Sequence, residues 1–253
     1  MHRFYIVIFL SLILVSASEA QFREDPPSQG MSIKPGIGFE AFSRTITWDD
    51  GETESKLKSN IFTLNAKFDM EYGFSFSLFL GYAFSSYNAM IFRELPVSVE
   101  LDIGRIQGFI FGGEIKKDLL SIESLDVGAQ AQFAYYLGKR EEWDIPGLAV
   151  EGTVSGKPRW MRVTIGPLLT YRGLNSIHPY IYLAYNKFWG TFKMDQTIED
   201  LKGNEEKKIK GKDEFSFSLG AIYELIKALQ IRVEANFMSN LDLGATIRIM
   251  YTF

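Results

Sequence analysis

The feature that most constrains this chain is a strict alternation of apolar and polar residues, which continues along almost all of it after residue 31. In residues 62–72, every second residue is apolar, and the residues between them are polar or charged. The apolar positions are Phe62, Leu64, Ala66, Phe68, Met70 and Tyr72. Successive side chains of a β-strand point to opposite faces, so this period predicts strands whose two faces meet different surroundings.

Ten such segments follow one another, which predicts an all-β fold. They cover about residues 32–47, 57–72, 74–89, 101–117, 124–138, 158–172, 179–194, 214–225, 228–238 and 241–253. The fourth does not keep its apolar residues on one parity, so we expect a bulge or a register change there. The count falls to eight if the fourth segment or the stretch 139–157 is misread.

Short and long connections alternate along the chain. Gly73 alone separates the second and third segments, whereas residues 49–56, 139–157 and 195–214 are long and charged. An up-and-down antiparallel barrel has this asymmetry when its two ends lie in unlike environments. The sequence therefore predicts a closed meander of about ten strands.

The first 20 residues have the features of a secretory signal peptide. Arg3 helps to give a weakly basic start, residues 4–15 are apolar, and Ala20 ends a stretch of small residues suited to cleavage. An apolar run this short falls below the roughly 20 residues that a membrane-spanning helix needs. We therefore expect a signal peptide at 1–20, a flexible leader at 21–31 and one barrel domain at 32–253.

Composition excludes several classes of function. The chain has no cysteine, so it forms no disulfide, Cys-based metal site or lipidated-cysteine anchor. Its net charge of −4, with both signs interspersed, argues against nucleic acid as a partner. We expect no cofactor and no metal.

Strand length and aromatic placement favour a membrane barrel over a soluble one. Segments of this length exceed the typical soluble strand of about five or six residues but suit the roughly 9–11 residues of a tilted membrane strand. Aromatic residues at strand ends, beside short turns or the terminus, predict a girdle at a membrane interface. They are Tyr72, Phe74, Tyr171, Tyr223 and Tyr251. A soluble, lipocalin-like barrel with an apolar interior is the alternative.

With this pattern the mature chain resembles the small, single-domain β-barrel proteins of the bacterial outer membrane, without pointing to a subfamily. Members commonly end on an aromatic residue, preceded by apolar residues at alternate positions, which the barrel-assembly machinery reads. Ile247, Ile249, Tyr251 and Phe253 match that signal. The resemblance implies a monomer in the outer membrane of a Gram-negative bacterium, in contact with membrane lipid and, during biogenesis, with the assembly machinery.

The polar faces of the predicted strands place a mixed set of charges in the lumen. They include Lys67, Asp69, Glu71, Asp126, Arg162, Arg172, Glu224, Arg232, Glu234, Asp242 and Arg248. In a narrow barrel, side chains fill most of the interior and buried charges must be paired. The lumen is therefore interpreted either as a structural ion-pair network or as a small, weakly selective pore.

Enzymatic activity is not expected from the sequence. His178 is the one histidine that remains after signal cleavage, and it lies in a short connection where no neighbouring carboxylate completes a catalytic triad. Binding or adhesion through the loops is the alternative to a pore or a structural barrel, since exposed loops often carry function. A lipid- or peptide-processing enzyme of the outer membrane is a further, less favoured alternative. Trp48, Trp143 and Trp160 lie near the bases or tips of those loops.

The terminal Phe253 generates a first testable prediction. If the assembly machinery reads this end, deletion of Phe253, or a short polar tail after it, lowers the amount of folded barrel in the outer membrane. Fractionation followed by a gel-mobility comparison of heated and unheated samples measures that amount. An unchanged yield of folded protein would contradict the interpretation of residues 247–253 as an assembly signal.

Overall fold

The computed structural model describes most of the chain after residue 30. The described residues are 31–48, 54–92, 96, 99–145, 151–226, 228–240 and 242–252. The predicted signal peptide 1–20, residues 21–30 of the predicted leader and Phe253 lie outside them.

Twelve β-strands account for nearly all of the described residues. They are β1 Ser32–Thr47, β2 Glu54–Asp69, β3 Phe74–Phe92, β4 Val99–Ile122, β5 Leu125–Gly138, β6 Glu141–Asp144, β7 Gly152–Tyr171, β8 Ile177–Ile198, β9 Leu201–Gly211, β10 Phe215–Ile226, β11 Leu229–Met238 and β12 Leu243–Tyr251. No helix within these residues is long and apolar enough to cross a membrane.

Ten of the strands form a closed antiparallel ring. The order is β1, β2, β3, β4, β5, β7, β8, β10, β11 and β12, and β12 pairs again with β1 from Gly36↔Met250 to Phe42↔Gly244. Closure gives each wall strand a neighbour on both sides, which removes the edges of the sheet. The predicted all-β, up-and-down barrel of about ten strands is confirmed.

The remaining strands, β6 and β9, lie where the sequence predicts long loops. β8 continues to Ile198, turns at Glu199 and Asp200, and returns as β9, while β6 pairs with the start of β7. Glu199 adopts a φ of 49° at this turn, as two-residue hairpin connections require. Charged residues occupy both faces of β9, so the alternation that reveals the other strands is missing there.

The irregular fourth segment behaves as expected. The register between β3 and β4 shifts between Ser85 and Tyr87 and again between Tyr87 and Met90, and the register between β4 and β5 shifts between Asp118 and Leu120. From Ile106 to Lys117 the pairing with β3 keeps one register, and apolar residues there occupy both parities because Ile106 and Ile110 point inward while Phe109 and Phe111 face outward.

The wall is apolar on its outer surface. Leu64 on β2, Leu80 on β3 and Ile247 on β12 are 65%, 60% and 47% exposed, and their sequence neighbours point inward. Such an extensive exposed apolar face is typical of a surface that meets a membrane. The face that the sequence assigns to lipid is therefore the outer face of the barrel.

The barrel narrows towards the end that carries the long hairpins, called here the hairpin end; the opposite end is the short-turn end. β9 pairs with β8 on one side and, through Ile46↔Gly211 and Thr47↔Lys210, with β1 on the other. β10, β11 and β12 do not extend to this level. The circuit of paired strands is there reduced to eight: β1, β2, β3, β4, β5, β7, β8 and β9.

The place where β1 changes its partner from β12 to β9 is called here the shoulder. Between Phe42 and Ile46, β1 has no strand partner on this side. The carboxylate of fully buried Asp242 accepts the Thr45 N–H at 2.5 Å, and the Lys212 N–H donates to the Thr45 carbonyl at 3.1 Å. Lys56 Nζ also donates to Asp242 at 2.5 Å. The Asp242 side chain thus takes the place of the missing strand as acceptor, because a buried backbone N–H must have a hydrogen-bond partner.

Asp242→Ala tests the role of the shoulder. The substitution leaves the Thr45 N–H and Lys56 without their acceptor, so we expect the free energy of unfolding to fall by about 1–3 kcal/mol. Urea titration in detergent micelles, followed by tryptophan fluorescence, measures the change. Asp200→Ala, in the exposed β8–β9 turn, is the matched control and should change stability by less than about 0.5 kcal/mol. Equal effects of the two substitutions would contradict the capping role.

Candidate functional site

The interior of the barrel is built in three layers, each formed by inward-facing side chains. A lower charge ring lies near the short turns. A central network of arginines and glutamates crosses the middle of the ten-stranded ring. An apolar seal fills the hairpin end, where the circuit of strands has narrowed. The sequence predicts charges in the lumen but does not predict this layering.

Glu114 on β4 is the centre of the network. One carboxylate oxygen accepts a hydrogen bond from Arg232 on β11 and the other accepts one from Arg248 on β12, both at 2.9 Å. The Glu114 side chain is only 7% exposed. Its two partners come from strands on the far side of the lumen, so this single carboxylate connects opposite walls of the barrel.

Arg232 is held by several further groups. Its Nη2 donates to Glu234 at 2.9 Å and to the Gln130 side chain at 3.3 Å, while its Nε donates to the Tyr180 hydroxyl at 2.7 Å. The Tyr180 hydroxyl in turn donates to Glu234 at 2.6 Å. The guanidinium therefore has partners in nearly every direction, as a buried charge requires.

A second pair spans the lumen beside the first. Arg162 on β7 forms a bidentate pair with Glu40 on β1, with N–O distances of 2.6 and 3.0 Å. Such forked pairs fix geometry as well as charge. With this pair the network holds three arginines and three glutamates, so its formal charge is zero. The polar cavity that it borders has a volume of about 40 Å³.

The apolar seal lies between the central network and the hairpin end. It consists of Phe42, Ile46, Trp48, Leu57, Ile61, Phe79, Ala83, Tyr87, Ile106, Ile110, Ala134, Tyr136, Val154, Trp160, Phe188, Phe192, Met194 and Ile209. Trp160 is fully buried, and the rings of Tyr136 and Phe188 lie 5.1 and 5.3 Å from it. All eight strands of the narrowed circuit contribute side chains to the seal.

Tryptophans that the sequence places near loop bases therefore belong mainly to the interior. Trp48 and Trp160 are part of the seal, and Trp143 is partly buried against it. Trp48 and Trp160 therefore do not contribute to the loop surface, and Trp143 contributes only in part. A parity signal could have found the seal, because Leu57 and Ile61 share the inward parity of Lys67 and Asp69 on β2.

The predicted lumen charges separate into groups. Arg162, Arg232, Glu234 and Arg248 lie in the central network, which also contains Glu40 and Glu114. Lys67, Asp69, Asp126 and Arg172 lie in the lower charge ring. Glu71 and Glu224 are exposed at the short-turn end, and Asp242 belongs to the shoulder.

The lower charge ring consists of local pairs. Lys67 Nζ lies 2.7 Å and Lys34 Nζ 2.9 Å from the carboxylate of Asp69. Arg172 pairs with Asp126 and lies 3.5 Å from Asp118. Apart from buried Asp126, these side chains are partly exposed, so the ion pairs among them contribute little to stability.

His178 lies at the start of β8, opposite Ile222 of β10, and its Nε2 is 3.9 Å from the exposed carboxylate of Glu224. It is thus at the short-turn end, remote from the hairpins. Within the described ranges no three His, Asp or Glu residues are grouped as metal ligands.

The predicted girdle residues lie around the short-turn end. Tyr72 is 80% exposed in the β2–β3 turn, while Tyr171, Tyr223 and Tyr251 are 42%, 39% and 46% exposed at strand ends. Phe74, the first residue of β3, is half-buried. Together they form an aromatic rim on the outer surface.

Comparison with solved structures relates this architecture to known proteins. The outer membrane protease OmpT from Escherichia coli aligns over 92% of this chain and 100% of its own, with 13% identity and a TM-score of 0.50. An outer membrane channel from Pseudomonas putida F1 gives 11% identity, coverage of 91% and 99%, and a TM-score of 0.40. The attachment invasion locus protein Ail of Yersinia pestis aligns over 88% of this chain and 97% of its own, with 12% identity and a TM-score of 0.33.

The chain has the fold of an outer-membrane β-barrel. No family model and no curated protein sequence matches it. At this level of identity the likeness extends to the fold alone. The role of this outer-membrane β-barrel must therefore be argued from its own side chains.

The central network generates a prediction about stability. Glu114→Ala leaves two buried arginines without their shared carboxylate, so we expect a loss of about 3–5 kcal/mol in the free energy of unfolding. Urea titration in micelles measures it. Glu224→Ala, which removes a carboxylate that is 51% exposed, is the control and should change stability by less than about 0.5 kcal/mol. A near-neutral effect of Glu114→Ala would show that the network does not stabilise the barrel.

Proposed function

We propose that this protein is a closed, non-conducting barrel of the outer membrane, with a structural role and with its long hairpins held outside the membrane. The observation that carries the proposal is the apolar seal. Of the two roles that the sequence leaves open for the lumen, a structural barrel agrees with the seal and a diffusion pore does not.

The seal opposes passage of water and ions for two reasons. Its side chains are between 0% and 8% exposed, so they leave little free volume in the hairpin-end lumen. An eight-stranded barrel is also just wide enough for side chains to fill its interior. A hydrated ion would have to displace packed aromatic rings and lose its water in an apolar layer.

The central network supports the same conclusion. A selectivity filter usually presents an excess of one charge sign or a ring of uncompensated ligands. Here three guanidinium groups are matched with three carboxylates, and two of the arginines share Glu114. The network therefore resembles a cross-brace between walls more than a lining that attracts one type of ion.

The hairpin end is the surface through which such a barrel would act on partners. β8 has 22 residues and β7 has 20, whereas a tilted membrane strand needs roughly 9–11. About half of each strand thus extends past the membrane, and β9 adds a charged return strand. Loop-mediated binding is accordingly the second candidate function. We propose no enzymatic role, because His178 lies at the opposite end from these hairpins.

Conductance measurements test the closed barrel. In a planar lipid bilayer the wild-type protein should give no discrete current steps. Trp160→Ser combined with Tyr136→Ser removes two stacked rings from the seal, and we expect this variant to conduct. Its heat-dependent gel mobility must remain, which shows that it is still a folded barrel.

Trp143→Ser is the matched control, since Trp143 packs only against the margin of the seal. This variant should remain silent. Discrete current steps from the wild-type protein would overturn the closed barrel and favour the pore. Silence of a folded Trp160→Ser/Tyr136→Ser variant would show that the seal alone does not close the barrel.

A further inference from the structure

The outer surface of the barrel contains a broad apolar groove beside the β1–β12 seam. Its volume is about 690 Å³. It extends over β12, β1, β2, β3 and the adjacent part of β4. Its walls include Ile37 and Phe39 of β1, Leu64 of β2, Leu80 of β3 and Ile249 of β12. All of these side chains point away from the lumen.

In an outer-membrane barrel this groove faces the bilayer. Hydrocarbon is the medium around the apolar belt of the wall, and a concave apolar surface in that medium is filled by chains of the surrounding lipid. An acyl chain of the surrounding lipid therefore fills most of the length of the groove. What remains to be argued is whether the groove distinguishes one lipid from another.

Aromatic rings border the groove at its hairpin end. Tyr82 packs edge-on against Phe84 and Phe109, each with a centroid distance of 5.4 Å. The Tyr82 hydroxyl donates to the side chain of Gln107 at 2.6 Å. Amphipathic rings with a polar partner are typical of the headgroup level of a membrane. The end of the groove thus lies where a lipid headgroup would lie.

Two cations lie over these rings. Lys139 Nζ is 5.4 Å from the ring centroid of Tyr82 and 5.9 Å from that of Phe109, and the Arg105 guanidinium is 5.5 Å from the ring of Phe84. Neither cation forms an ion pair with a carboxylate among the residues for which the structure gives side chains. Their charge is therefore oriented by aromatic contacts and is available to an external anion.

We propose that this groove is a binding site for an anionic lipid of the surrounding bilayer. The acyl chain lies along Ile37, Leu64 and Leu80, and the negatively charged phosphate headgroup lies against Arg105 and Lys139. A zwitterionic lipid fills the same groove but lacks the net negative charge that the two cations attract. The site thus selects by headgroup charge.

Native mass spectrometry of the folded barrel in detergent tests this selectivity. The protein is incubated with equal amounts of phosphatidylglycerol and phosphatidylcholine that carry identical acyl chains. We expect the wild-type protein to retain phosphatidylglycerol preferentially. Arg105→Gln/Lys139→Gln should reduce the preference by roughly fivefold for each cation, the effect typical of a basic residue at an anionic membrane surface.

Lys157→Gln/Lys187→Gln provides a control of equal charge. Both lysines are exposed on β7 and β8, away from the groove, and this pair should leave the preference unchanged. Leu80→Trp fills the groove and should reduce retention of both lipids without changing their ratio. All variants must keep the heat-dependent gel mobility of the folded barrel.

Some outcomes would overturn the proposal. They are equal retention of the two lipids by the wild-type protein, an equal loss of preference in the control pair, or unaltered retention in Leu80→Trp. Excess glycerol 3-phosphate distinguishes a lipid site from a site for a soluble phosphate. It should not displace the bound lipid, because it lacks the chain that fills the groove, and displacement would refute a lipid site.

Discussion

The structure depends on one constraint, which is that every strand of the wall must have a hydrogen-bonded neighbour on each side. At the short-turn end, β1 satisfies this constraint through β12, and at the hairpin end through β9. Where β1 changes its partner, a short stretch of its backbone has no strand neighbour on that side. There the Asp242 carboxylate accepts the Thr45 N–H, and the Lys212 N–H donates to the Thr45 carbonyl. At this change β1 has a paired neighbour on that side both below and above the shoulder, while the circuit falls from ten strands to eight.

The change in strand number explains why one inward face has two chemistries. In the ten-stranded part the lumen is wide enough for long, polar side chains that meet from opposite walls, as Arg162 and Glu40 do. In the narrowed part the same space is filled by rings such as Trp160 and Phe192. Apolar side chains can pack closely without directional contacts. Charged side chains that meet across a lumen must instead be paired with well-oriented partners. Each chemistry lies where the width of the barrel suits it.

The wall could be predicted from the sequence because lipid and lumen demand opposite side chains at alternate positions. Leu64 and Lys67 on β2 show this clearly. Where both faces carry charged side chains, as for Glu206 and Lys207 on β9, or where both are apolar, as for Ile110 between Phe109 and Phe111 on β4, alternation carries no information. The ion pairs that span the lumen could not be predicted from the sequence either. Glu40 and Arg162 are separated by 122 positions, and only closure brings them together.

The central network and the seal constrain the same degree of freedom, which is strand register. A slip of one residue in any strand would turn its inward side chains to the lipid face. For β7 such a slip would expose Arg162 to hydrocarbon and remove Trp160 from the seal at once. Buried ion pairs are often no more stabilising than apolar packing, but a misplaced guanidinium in lipid is costly. The arginines therefore destabilise wrong strand registers more than they stabilise the native register. The apolar packing of the seal supplies stability that the network of ion pairs does not.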